Sequence, residues 1–174
     1  MKKITVLFIA MVAVLAAGCG TDKSGASEPD ETVRLVASEP TLPSDFEQMS
    51  VAQKTRGFLA VSVNEQDAFE TAWTDYGMED GRPELDFKEE AAIFISLQES
   101  SSCPNRPESF DTTAESGELG VHFEPLPDVC TADLAPRTLV ISVKKEIAGD
   151  LKTIRLYLQQ QEVSVPLLGL QVEY

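Results

Sequence analysis

The sequence has very little imidazole. Its single histidine is His122, and it lacks both a G-x-S-x-G nucleophile turn and a glycine-rich phosphate loop. A Ser–His–Asp hydrolase needs a base held against an activated hydroxyl, so these absences count against hydrolysis. His122 stands between Val121 and Phe123 in an alternating stretch, which turns it to the face opposite those two. Cysteine is scarce too. Cys19, Cys103 and Cys130 form no C-x-x-C pair, and the chain has one histidine, which counts against a zinc site. Basic residues are few, with 14 Lys and Arg against 29 Asp and Glu, a formal charge of −15. That balance repels phosphate backbones and anionic headgroups, which excludes nucleic acid and a polybasic membrane patch. No apolar run reaches the roughly 20 residues that a permanent membrane helix requires.

A shorter apolar run is present at the front. Lys2 and Lys3 precede an apolar stretch from Ile4 to Ala17, interrupted only by Thr5 and followed by Gly18 and Cys19. A charged start, a short apolar core and small residues before a cut read as an export signal. The segment "LAAGC" resembles a bacterial lipobox, with Leu15 one position further out than the commonest pattern. The resemblance implies cleavage after Gly18, a diacylglycerol thioether on Cys19, and a chain anchored to the lipid bilayer on the extracytoplasmic side. The alternatives are an ordinary N-terminal helix, or a secretory signal cut near Ala17. Acylation of Cys19 leaves Cys103 and Cys130 as an even pair in an oxidising compartment, where pairs are usually disulfides. Such a bridge closes about 28 residues and stabilises the fold by roughly 3–4 kcal/mol on the chain-entropy model. Two buried free thiols are the other reading of the pair.

Removing residues 1–18 takes away two lysines and no acid, so the exported chain is more acidic still. Residues 19–45, "CGTDKSGASEPDET" onward, read as a lipidated tether, because small polar residues and prolines cannot bury enough apolar area to offset chain entropy. "VRLVA" (33–37) is a possible strand within it. A single domain then occupies residues 46–174, long enough for a core. "GFLAVSV" (57–63) reads as a strand. Asn64 stands at a helix N-cap position, and Ala68, Phe69, Ala72, Trp73 and Tyr76 then share one helical face up to Gly77. Trp73 at that spacing reads as a core anchor. "AAIFISL" (91–97) reads as a strand buried on both faces, and "SFDTTAES" and "ELGVHFE" read as a hairpin turning at Ser116-Gly117. "RTLVISVKK", "LKTIRLYL", "EVSV" and "LQVEY" supply the remaining strands, with a turn at Gly149-Asp150. The expected fold is mainly β: an antiparallel sandwich or open barrel of about seven strands with one packed α-helix.

The segment "DYGMEDGRPELDFKEE" (75–90) is dense in carboxylates. It lacks the D-x-[DN]-x-[DN]-G order of a calcium loop, so it reads as a solvated acidic loop, and no metal or cofactor is assigned. The same region carries a family resemblance. A tryptophan helix, then "RPELDFKEEAAIFISL", a polar loop, an alternating pair, "EPLPDVCTADLAP" and "RTLVISVKK" resemble the PrcB C-terminal-like domain over about residues 55–146. Pro83, Asp86, Phe87 and Lys88 match its P-x-x-D-F-x-K-like core, and Cys130 matches its later cysteine. Where that family has a Thr-Gly-Gly-Tyr-like turn, this chain has "ESSSCPNRPES", which adds Cys103. The family is named for an accessory lipoprotein that binds and stabilises a surface protease. The resemblance implies a non-catalytic, protein-binding module, with Pro83, Asp86, Phe87 and Lys88 as candidate partner contacts; Asn105 and Arg106, in the departing turn beside Cys103, are further candidates. Asp86 and Lys88, two residues apart, would share a strand face. A disulfide between Cys103 and Cys130 would also make the intervening loop a preorganised surface. The competing expectation is a lipoprotein that binds a small ligand or a cation.

Overall fold

A computed structural model describes residues 32–113, 115–159 and 161–170. The leader, Cys19, the first part of the tether and the end of "LQVEY" lie outside the described residues. Eight strands form one sheet: β1 (Val33–Glu39), β2 (Phe58–Val63), β3 (Glu90–Glu99), β4 (Pro107–Thr113), β5 (Glu118–Phe123), β6 (Ala135–Lys144), β7 (Thr153–Leu158) and β8 (Gln161–Gly169). Their order is β1-β6-β3-β2-β8-β7-β5-β4, and the sheet curls until its edge strands β1 and β4 approach one another. The result is an open barrel rather than a sandwich. Three helices accompany it: α1 (Phe46–Ala52), α2 (Gln66–Asp75) and α3 (Lys145–Ala148). Among the described residues no helix is long and apolar enough to cross a membrane.

β3 is the strand about which the barrel is organised. Ala91, Ile93, Ile95 and Leu97 face the barrel interior with Leu119, Val121, Leu139, Ile141, Ile154, Leu156 and Val165. Ala92 and Phe94 face outward into a second core with Leu59, Val61, Val140 and the helices' Phe46, Phe69, Trp73 and Tyr76. A strand apolar on both faces is therefore covered on both faces, as its sequence requires. Phe69 lies 5.8 Å and Tyr76 4.7 Å from the Phe94 ring, centroid to centroid. Burial pushes the Tyr76 phenol well above its ordinary value, with the carboxylates of Asp45 and Asp75 adding to the effect. One polar spot interrupts this outer core. Ser96 and Thr138, register partners, hydrogen-bond at 2.9 Å, and the Thr138 hydroxyl donates to the Thr41 carbonyl at 2.8 Å.

The structure revises four expectations. The sheet is mixed, because β2 runs parallel to β8 and β5 parallel to β7; alternation of apolar residues carries no information on strand direction. The sheet begins at Val33, inside the stretch read as tether, because β1 is an edge strand whose backbone pairs with β6 although its side chains are mostly half-exposed. The first α2 hydrogen bond runs to the carbonyl of Glu65, not Asn64, and no side chain caps it. The stretch "EVSV" is part of a longer strand, β8, which runs on to Gly169; Leu170 lies just past its end, and the rest of "LQVEY" lies outside the described residues.

Two glycines hold as turns. Gly77, at φ 64°, ends α2: its N–H and that of Met78 bond back to the carbonyls of Thr74 and Trp73. Gly117, also at φ 64°, turns the β4–β5 hairpin, and a Cβ there would stand 2.5 Å from the Asp150 carbonyl oxygen. At the lower end of the barrel α3 and the following turn insert Ile147, Ala148 and Leu151 into the interior core and plug it. Replacing the fully buried Phe94 by alanine should cost about 3–5 kcal/mol in urea unfolding, since it opens a void between helix and sheet. A loss below about 1 kcal/mol would show that the outer core is not what holds the helices.

Candidate functional site

The upper end of the barrel is built differently. β3 ends at Glu99, whose carboxylate is only 1 % exposed. It accepts hydrogen bonds from Arg137 Nε at 2.7 Å and from the Asn105 backbone N–H at 2.7 Å, so the ion pair and the loop entry are fixed together. Cys103, buried, is joined to Cys130 by a disulfide with 5.7 Å between their Cα atoms. The bridge ties the β3–β4 loop to the long β5–β6 loop. Side chains reinforce it: the Thr131 N–H donates to the Ser102 hydroxyl at 2.9 Å, and the Ser101 N–H donates to Asp133 at 3.1 Å. Hydrogen bonds from Ser101 and Thr131 hold the Asp133 carboxyl at about 2, below its ordinary 3.8.

On this stapled loop stand two large apolar side chains with little cover. Val129 is 86 % exposed and Leu134 is 74 % exposed. They flank Cys130 in sequence. The cue was present as isolated apolar residues in an otherwise polar, proline-bearing loop, but exposure cannot be read from composition.

The six candidate contact residues divide into two groups that the fold keeps apart. Asn105 and Arg106 lie beside the disulfide at the Glu99 end of β3. Asn105 is spent partly on Glu99, and the Arg106 carbonyl accepts the Glu124 N–H at 2.9 Å. Pro83, Asp86, Phe87 and Lys88 lie before the Glu90 end. The ten residues of β3, about 30 Å at the usual rise, separate Phe87 and Lys88, which directly precede its Glu90 end, from Asn105 and Arg106. Phe87 packs 5.3 Å from the Phe69 ring and is part of the outer core. Asp86 and Lys88 are exposed but do not share a strand face. Asp86 opens a turn in which its carboxylate accepts the Lys88 N–H at 3.0 Å and its carbonyl accepts the Glu89 and Glu90 N–H groups. The local hydrogen bonds of an aspartate here prevail over extended pairing.

His122 lies on the outer face of the barrel, opposite Val121 and Phe123. Its Nε2 pairs with Asp111 across the hairpin, and its ring stacks 4.3 Å from Tyr157. Further along that face Arg155 is clamped between Glu118 and Glu162; its hydrogen bond lowers the Glu118 pKa, while the hydrogen bonds it donates to both carboxylates raise its own. Among the described residues no group of three or more His, Cys, Asp or Glu is placed to hold a metal ion. Within the acidic stretch the Asp86 carboxylate accepts the Lys88 N–H and Glu90 pairs with Arg34 at 3.1 Å, while Glu79 and Asp80 are held by their backbone N–H groups, which donate to Glu39 of β1.

Comparison with protein-family models, with curated proteins and with solved structures finds no match for this chain. Function is therefore argued from the stapled loop itself.

Two outcomes follow for that loop. Because the Asp133 value is depressed in the folded state, its share of stability is complete above about pH 4 and is lost as pH falls towards 2. An NMR titration should find this carboxyl titrating near 2, and Asp133→Asn should flatten the acid limb of the stability curve. A carboxyl titrating near 4 would refute the arrangement. Replacing both bridge cysteines by alanine should cost about 2–4 kcal/mol in urea unfolding and should speed proteolysis within residues 124–134.

Proposed function

We propose that this chain is a lipid-anchored, extracytoplasmic accessory protein that binds and stabilises a partner protein in the cell envelope, with no chemistry of its own. The single observation that carries the reading is the exposure of Val129 and Leu134 on a loop held by the Cys103–Cys130 bridge. Apolar side chains left in water on a rigid loop lose little conformational entropy on binding and gain by being covered. The disulfide supports an oxidising compartment. The lipobox-like "LAAGC" supports acylation of Cys19, and the resemblance to the PrcB C-terminal-like domain supports a protease complex as the partner. His122 supports no catalytic role here: it faces outward, stacked on Tyr157 and paired with Asp111.

The test is in-cell crosslinking of the tagged full-length protein, followed by recovery from the membrane fraction and mass spectrometry. One partner near stoichiometry is expected. The double variant Val129→Asp, Leu134→Asp should weaken that complex by roughly 30-fold or more while leaving the protein folded and in the membrane fraction. Cys19→Ser should do the reverse, releasing the protein to the soluble fraction with its loop intact. Retention of Cys19→Ser on membranes would defeat the anchor, and a complex indifferent to the loop variant would defeat the binding surface.

A further inference from the structure

The barrel's two ends are unequal. α3 plugs the lower end, whereas the upper end opens into a cavity of about 620 Å³. That volume falls within the range of small-molecule sites, which recur in barrel mouths. Its base is the last inward-facing ring of the barrel, with Phe58 of β2, Leu97 of β3, Leu158 of β7 and Gln161 of β8. Its cover is loop: Asn105 from one side of the disulfide, and Leu126, Asp128 and Cys130 from the other.

The lining has a definite chemistry. Three carboxamides, from Asn105, Gln159 and Gln161, line the space above its apolar floor, while Gln98 borders it with a side chain that strand alternation turns to the outer face, towards Gly57. Among the described residues, Asp128 is the one charged side chain in the lining, and no Lys, Arg or His lines the cavity, in a chain already strongly acidic. An anionic ligand would meet no countercharge. Two of the carboxamides are partly engaged and thereby positioned. Asn105 gives one amide hydrogen to Glu99, and the Gln159 oxygen accepts the Leu126 N–H at 3.1 Å. A primary carboxamide both donates and accepts, and so does a sugar hydroxyl. The half-buried Phe58 ring offers the flat apolar surface that the C–H face of a pyranose covers. An extended peptide needs a trough open at both ends, and this space is floored by the barrel core and crossed by the stapled loop.

We propose that the barrel mouth is a binding site for a neutral saccharide of one or two pyranose units, held by the carboxamides of Asn105, Gln159 and Gln161 over Phe58. The site is distinct from the apolar pair Val129 and Leu134, and it stands whether or not that pair binds a protein.

The experiment is saturation-transfer NMR and calorimetry on the full-length, disulfide-intact protein in a zwitterionic, sugar-free detergent. The probes are cellobiose, N,N′-diacetylchitobiose, glucuronic acid and a tetra-alanine peptide blocked at both ends. Binding of at least one neutral disaccharide is expected, with glucuronic acid much weaker. Gln161→Ala and Asn105→Ala should each weaken it about five- to tenfold, one hydrogen bond's share. Gln161→Glu, the same size at an exposed strand end, should weaken it similarly with an unchanged melting temperature. Val129→Asp should leave it unaltered, which separates this site from the protein-binding surface. No contact from either disaccharide, tighter binding of the blocked peptide or of glucuronic acid, or affinity untouched by the Gln161 variants would overturn the assignment.

Discussion

Everything in this fold depends on β3 being buried on both faces. A strand that carries Ala91, Ile93, Ile95 and Leu97 on one side and Ala92 and Phe94 on the other cannot tolerate water on either. The sheet must curl over one side and helices must cover the other. Curling brings β1 towards β4, and covering recruits α1 and α2 with the long segment that returns from Gly77 to Glu90. That segment contributes Met78, Leu85 and Phe87 to the outer core while its acids face out, so an acid-rich stretch of sequence serves as a structural strap. The helical face from Ala68 to Tyr76 is the complement that β3 demands, and Phe69 at its centre touches Phe87, Phe94 and Trp73 alike.

The division of labour between the ends of the barrel follows. Where strands end at the bottom, α3 supplies apolar side chains and the interior is sealed. Where they end at the top, the closing elements are polar loops that cannot fill the interior. They are made rigid instead by one covalent bond, one buried carboxylate and a chain of hydroxyl contacts from Ser100 to Asp133. Rigidity without filling is what leaves a cavity, and it also leaves Val129 and Leu134 in water with little freedom to turn away.

The parts of this arrangement that were legible in the sequence are those governed by strong local periodicity or by covalent chemistry. The α2 face, the doubly buried "AAIFISL", the turn at Ser116-Gly117 and the Cys103–Cys130 pair were each readable from a few residues. What escaped was set by distant partners. "VRLVA" offers only a possible strand within a tether; its extent to Glu39 and its place at the sheet's edge come from the backbone of β6. The parallel pairing of β5 with β7 depends on a crossover that periodicity does not encode. Asp86 and Lys88 looked like strand neighbours until the aspartate's own hydrogen bonds made a turn. The mouth was invisible for a similar reason: Asn105, Gln159 and Gln161 are unremarkable polar residues until a loop and two strand ends bring them together.

The register of β1 has a mechanical consequence. β1 enters the sheet at the plugged end, where Val33 lies opposite Val143, and it reaches the mouth at Glu39 opposite Thr138. β6 descends antiparallel to it from Ala135, directly after the stapled loop. A pull on the chain ahead of Val33, resisted at the loop, therefore draws β1 and β6 along their own axes in opposite directions. Their hydrogen bonds lie across that pull and share it together, so the pair is loaded in shear and does not peel open one bond at a time. The molecule is built to bear tension between its N-terminal side and its mouth.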